Sequence, residues 1–594
     1  MWSPIYLVFA LCSEVRAVWP APQSFTSGNS VLWIERDVRV TYNGESVWWN
    51  SFLDASNSQT EQKVLGSQNS QAPGHGAFTS SSVVQSAVSR ALQTIFTQSL
   101  VPWKLVARNE LAKFEPLANG VRNFISCLNI TQTGTDTTFK PLAGEVDESY
   151  NLSISEQGIA EISAVSSYGV LHGLQTFVQL FYQHSTNRGI YTNMAPVSII
   201  DGPKFQHRGL NMDVSRNWYP KADILRTIDA LSWNKFNRLH LHMTDSQSWP
   251  MDIPALPLLA QKGAYQIGLS YSPADIEEIQ TYAVQRGVEV IIEFDMPGHT
   301  TAIGLGYPEL IAAFDAHPWR TYCAEPPCGT LQLNNSATAP FMETLFGDVL
   351  PRIAPYSSYF HTGGDEVNAQ AYLLDPTVRS NDKTVIGHLI QKLVDRNHAQ
   401  IRAAGLAPIV WEEMLLDWNL TLGEDVIVQT WLSDASVASV TAAGHKALAG
   451  NYNFWYLDCG KGEWLNFGNG ASFQENYPFL DYCSPTKNWR LIYSYDPLGG
   501  VPVAQHHLVL GGEVHIWSEQ TDPVNFDGVV WPRASAAGEV LWSGRQDARG
   551  QNRSQLTAAP RLAEMRERMV NREVRAGPVQ MVFCTQHNAT ECSV

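Results

Sequence analysis

Beyond Asp201, short β-rich runs alternate with helical stretches, and this alternation constrains the fold more than any other feature of the chain. The β-rich runs are 208–214, 238–245, 288–295, 359–365, 408–413, 426–431, 446–450 and 508–514, and helical spacing of apolar residues marks 221–236, 274–287, 337–350, 384–404 and 434–443 between them. Strands joined through helices pair in parallel and need cover on both faces. Eight of them predict a (β/α)8 TIM barrel over 202–594, with a C-terminal helix and tail and a second helix that is short or missing. Polar residues gather where strands give way to loops: Asp213, Asp245, Asp295 with His299, Asp365 with Glu366, Trp411 with Glu412, Trp431, and Trp517 with Glu519. One such Asp is ordinarily a turn former or helix cap. Repetition over most of the strands instead predicts one cavity at the C-terminal mouth of the barrel.

Ahead of the barrel, 146–154 and 159–164 alternate as strands and 168–182 has helical spacing, predicting a smaller α/β domain, an antiparallel sheet plus helices, that ends near Asp201. Residues 54–82 are rich in Ser, Gln, Gly and Asn and read as a loop or linker. The first 17 residues, with an apolar run from Ile5 to Cys12 ahead of Ala17, read as a signal peptide of a secreted, extracellular protein. No other apolar stretch is long enough to span a bilayer. A formal net charge of −17 excludes nucleic acid and anionic membrane as electrostatic partners.

Secretion would expose six sequons, at Asn129, Asn151, Asn334, Asn419, Asn552 and Asn588, to glycosylation. It would also allow local disulfides Cys323–Cys328, Cys459–Cys483 and Cys584–Cys592. Cys127 is left over, either as a buried free thiol or as a sign of a different pairing.

The most informative segment is His361-Thr362-Gly363-Gly364-Asp365-Glu366-Val367-Asn368. By itself it is a Gly-rich turn capped by acids. With HRGLNMDVSR (207–216), NRLHLHMTDSQSWP (237–250), IIEFDMPGHT (291–300), WYLD (455–458), GGEVHIWSE (511–519) and WPRASAAGEVLWS (531–543), in this order, it resembles glycoside hydrolase family 20, the β-N-acetylhexosaminidases. The start, VWPAPQSFTSG, is similar to the secreted fungal members, which implies a propeptide over 18–100, retained non-covalently, and a homodimer.

Paired carboxylates are the usual equipment of glycosidases, set about 5–5.5 Å apart in retaining enzymes and wider in inverting ones. Neighbours on a strand point to opposite faces, so Asp365 and Glu366 are badly placed to flank one bond unless the strand has already broken into loop. The resemblance implies another division of labour. Glu366 protonates the leaving oxygen, Asp365 takes the acetamido N–H, and Tyr456 donates to the acetamido oxygen, which attacks to form an oxazolinium ion. This route is one of the recognised exceptions to the two-carboxylate rule.

Like charge and partial burial should raise the pKa of Glu366, with Asp245 and His299 tuning it from behind. Trp411, Trp431 and Trp517 would wall the sugar, Arg208 bind O3 and O4, Glu519 O4, and Asp458 O6. That leaves no room for a further sugar and implies exo action on terminal N-acetylhexosamine. No cofactor and no metal are implied. His240-Leu241-His242 invites a metal-dependent alternative, since both imidazoles share a strand face, and an aromatic sugar pocket without catalysis is the other.

Overall fold

The computed structural model describes residues 18–49, 78–466, 478, 480–587 and 589–593. The proposed signal peptide, most of the low-complexity segment and Asn588 lie outside them. Strands Ser24–Ile34, Ile190–Asp201, Tyr150–Ile154, Ile159–Ala164, Cys127–Gln132, Arg39–Tyr42 and Glu45–Ser46 form one sheet in that spatial order. It is mixed rather than antiparallel, because Cys127–Gln132 runs parallel to both of its neighbours.

Helix Ser80–Thr97 is capped by Thr79, whose hydroxyl accepts from the Ser82 N–H, and buries Val83, Val84, Ala87, Val88, Ala91, Leu92 and Ile95 as one stripe. With helix Ser167–Gln179 it covers the sheet and closes a core on Leu128, Ile130, Leu152 and Ile162. Residues 18–49 and 78–100 are thus integral to this domain, which is not confined to 101–201. Their buried apolar residues, among them Leu32, Ile34, Val40, Val84, Val88 and Leu92, belong to this same core.

The barrel closes with strands β1 (His207–Asp213), β2 (Arg238–Thr244), β3 (Glu289–Phe294), β4 (Tyr359–His361), β5 (Ala407–Trp411), β6 (Ile427–Gln429), β7 (Lys446–Ala449) and β8 (Val509–Ile516), all parallel, with β8 paired to β1. The second crossover is not short of helix, since Leu258–Gly263 and Pro273–Val284 both follow β2. The abbreviated crossover comes after β5, where Glu413–Leu416 is a single turn. Trp19 lies between the two domains, 1% exposed, with its indole N–H donating to the Ser535 carbonyl and its backbone N–H to Gln179.

The three expected disulfides are formed and Cys127 is a half-buried free thiol. Asn151, Asn334, Asn419 and Asn552 are exposed, whereas Asn129 is half-buried and accepts from the Thr41 hydroxyl. Among the described residues no helix is long and apolar enough to cross a membrane.

Candidate active site

Strand β4 stops after three residues because Gly363 and Gly364 follow with φ of +67° and +113°, conformations that favour glycine. A Cβ on Gly363 would meet Asp295 Oδ1 at 1.8 Å, so the turn lies directly on that carboxyl, which accepts from the Gly364 N–H at 2.8 Å. Asp365 and Glu366 therefore leave the barrel on a loop, with Glu366 itself at φ +54°. Strand pleating does not turn them apart. Both line one cavity of about 440 Å³, together with Trp431, Tyr456, Asp458, Trp517 and Glu519.

The two carboxylates converge on one imidazole. His299 Nε2 is 3.3 Å from Glu366 Oε2 and 3.9 Å from Asp365 Oδ2, while its Nδ1 is 3.0 Å from Asp245 Oδ1. Burial alone would lower the His299 pKa, but Asp245, Asp295 and Asp365 hold it well above the ordinary value, so it is an imidazolium. The Asp365 side chain is only 12% exposed, against 34% for Glu366. Burial, helped by the nearby Glu366 charge, raises Asp365; burial and the Asp365 charge push Asp295, in hydrogen-bonding contact with it, well above the carboxylate range.

On the other wall, Tyr456 stacks on Trp431 with ring centroids 6.1 Å apart and meets Trp517 edge-on, also at 6.1 Å. Burial pushes the Tyr456 hydroxyl well above its ordinary value, so it remains a proton donor. Asp458, raised by burial to about 6, accepts from the Trp517 N–H at 3.3 Å. Glu519 is pushed well up by burial against the opposing pull of Arg216.

The catalytic-domain model of glycosyl hydrolase family 20 matches residues 205–545. The chain belongs to this family. A second model, described as beta-acetyl hexosaminidase like, matches 18–180 and so covers the segments that complete the N-terminal sheet. The chain is 41% identical to a beta-hexosaminidase of Arthroderma benhamiae over 98% of both chains, and 32% identical to the chitooligosaccharidolytic beta-N-acetylglucosaminidase of Ostrinia furnacalis over 75% of each. In fold it matches the Streptomyces plicatus N-acetyl-beta-hexosaminidase with a TM-score of 0.65 at 22% identity, covering 94% of this chain and 96% of that one. It is a glycoside hydrolase with β-N-acetylhexosaminidase activity.

Within the hexosaminidase site, two sequence expectations are displaced. Arg208 does not reach the sugar cavity. It is fully buried on β1, bidentate to Glu148 at 2.6 and 2.9 Å, and its Nε donates to the Lys235 carbonyl. The arginine in the cavity is Arg216, in the loop after β1, which binds Asp213 at 3.2 Å, Asp245 at 3.1 Å and Glu325 at 2.5 Å and lies 3.8 Å from Glu519. Its signal was present in the same block, three residues beyond the strand-end Asp213. Trp411 is 1% exposed and lies beneath the cavity, 6.1 Å from Trp517, with its indole N–H donated to Glu293 Oε1 at 2.7 Å.

Glu325, on the disulfide loop Cys323–Cys328, also lines the cavity and had no strand-end position to mark it. His240 and His242 have carboxylate oxygens at all four ring nitrogens.

Proposed function

We propose that this hexosaminidase removes single N-acetylhexosamine residues from non-reducing glycan ends with retention, the substrate's acetamido oxygen serving as nucleophile. The observation that carries the reading is the unequal burial of Asp365 and Glu366 around His299. Both approach the same ring nitrogen, so they stand side by side on one wall rather than across a scissile bond. Glu366, the more open of the two, reaches the leaving oxygen as general acid. Asp365, held between Asp295 and His299, accepts the acetamido N–H and compensates the charge of the oxazolinium ion.

Tyr456 donates to the acetamido oxygen and aligns it for attack on the anomeric carbon. Trp517 and Trp431 face the apolar sugar surface, Asp458 takes O6, and Glu519 with Arg216, in place of Arg208, takes O3 and O4. Hydroxyls held at three positions leave no path for a further sugar on that side. The three disulfides support an oxidising, extracellular location, consistent with removal of residues 1–17. A retained propeptide and a homodimer belong to the same reading.

The test is Glu366→Gln with an aryl N-acetyl-β-glucosaminide. Hydrolysis is expected to fall by about 10²–10⁴-fold, while a thiazoline mimic of the oxazolinium ion still binds. Undiminished turnover, or normal turnover of plain β-glucosides by the wild type, would refute the mechanism.

A further inference from the structure

Behind His299, contacts between carboxylate and imidazole continue down the barrel. Asp245 holds His299 through Oδ1, while its Oδ2 is 2.7 Å from His242 Nε2; His242 Nδ1 is in turn 2.5 Å from Glu293 Oε2. The same Glu293 oxygen is 3.0 Å from His240 Nε2, His240 Nδ1 is 2.9 Å from Glu513 Oε2, and Glu513 Oε1 is 2.7 Å from His207 Nε2. Every member from His207 to Asp245 is at most 1% exposed.

An imidazole with a carboxylate oxygen at each nitrogen needs a proton on both. His240 and His242 are therefore cations, and the run alternates in sign from Glu513 to His299. Burial alone would lower both histidines, but the flanking carboxylates raise His240 to about 9 and His242 well above the ordinary value. Three groups flank the run. Trp411 donates to Glu293 Oε1, and Gln429 donates to Glu513 Oε2. His361, whose pKa burial lowers, has its Nδ1 3.1 Å from Glu293 Oε1, and the same nitrogen accepts from the Gly363 N–H.

Buried ion pairs contribute little net stability, because desolvation offsets their attraction. What they do fix is orientation, as outer partners do for a ligating histidine. We propose that Glu293 and His242 are positioning residues for the proton donor, resting on the reading of Glu366 as that donor. Glu293 keeps His242 doubly protonated, and the His242 Nε2–H pins Asp245 Oδ2. Because a carboxylate is rigid, pinning one oxygen aims the other at His299 Nδ1, and His299 Nε2 is thereby held against Glu366. Arg216, 3.1 Å from the same Asp245 oxygen, would otherwise draw that carboxylate out toward the cavity.

The test uses the full chain and a series of aryl N-acetyl-β-glucosaminides with graded leaving-group acidity, because a good leaving group needs little acid assistance. Glu366→Gln is the reference and should lose kcat/KM increasingly as the leaving group worsens. Glu293→Gln should lose about tenfold more on the poorest leaving group than on the best, and Glu513→Gln, one link further away, should tilt the series in the same direction by less. A uniform loss across the series, or no loss, in these variants would overturn the proposal by reducing the run to a structural core. If Glu293→Gln fails to fold, the slope for Glu513→Gln decides. A flat series for Glu366→Gln itself would instead overturn the assignment of Glu366.

Discussion

Replacing Arg208 by Met separates a residue that holds the domains together from one that binds sugar. The side chain donates two hydrogen bonds to Glu148 and one each to the carbonyls of Lys235 and Phe205, all without solvent contact. Removing one partner of such a pair costs about 3–5 kcal/mol, because the other charge stays buried. For an unfolding unit of 150–250 residues each kcal/mol is about 2–4 °C, so the melting temperature should fall by roughly 6–20 °C. Burial alone would raise the Glu148 pKa, but Arg208 and His172 hold it well below the ordinary range.

A depressed carboxylate contributes stability that is present above its unfolded value, about 4.3, and is lost as pH falls toward its folded one. In Arg208→Met burial is opposed only by His172 and should raise Glu148, which then binds a proton in the folded state. The stability gap between variant and wild type should accordingly narrow below about pH 5. Thermal melts at pH 7 and pH 4.5, with KM for an aryl N-acetyl-β-glucosaminide below the melt, make the measurement. The expected result is a large loss of stability at pH 7 and a KM within about twofold of wild type. An unchanged melt with a strongly raised KM would refute the reasoning and return Arg208 to the sugar cavity.

Two further outcomes are expected. Asp365 must be ionised to accept the acetamido N–H, and its folded pKa is raised by burial, so kcat/KM should fall as pH drops through a value above the ordinary Asp value of about 3.9; an acid limb at or below that value in a pH–rate profile would contradict the buried Asp295–Asp365 pair. Gly363→Ala would put a Cβ against Asp295 Oδ1 at a residue with φ +67°, and backbone strain alone costs about 1–3 kcal/mol; the turn must shift, and kcat should fall at least about tenfold, which near-wild-type turnover would disprove.

The eight barrel strands and the residues at their C-terminal ends were legible because each depends on local periodicity. Asp245, His299, Asp365, Glu366, Tyr456, Asp458, Trp517 and Glu519 all meet around the cavity or directly behind it. Residue type and position along a strand marked these, since the end of a barrel strand has one place to go, except Tyr456 and Asp458, which only the resemblance of 455–458 to the family's block pointed out.

What the sequence determined by itself was therefore the order of elements and the family motif, which are properties of short segments. Tertiary structure decided which of two arginines in one block faces the cavity, because Arg208 finds Glu148 across the domain boundary, 60 residues away in sequence. It decided that 18–49 and 78–100 complete the first domain, since strand pairing is non-local. It also set Asp365 and Glu366 on the same side. Their orientation follows from two left-handed glycines resting on Asp295, a contact between distant residues that no strand periodicity encodes.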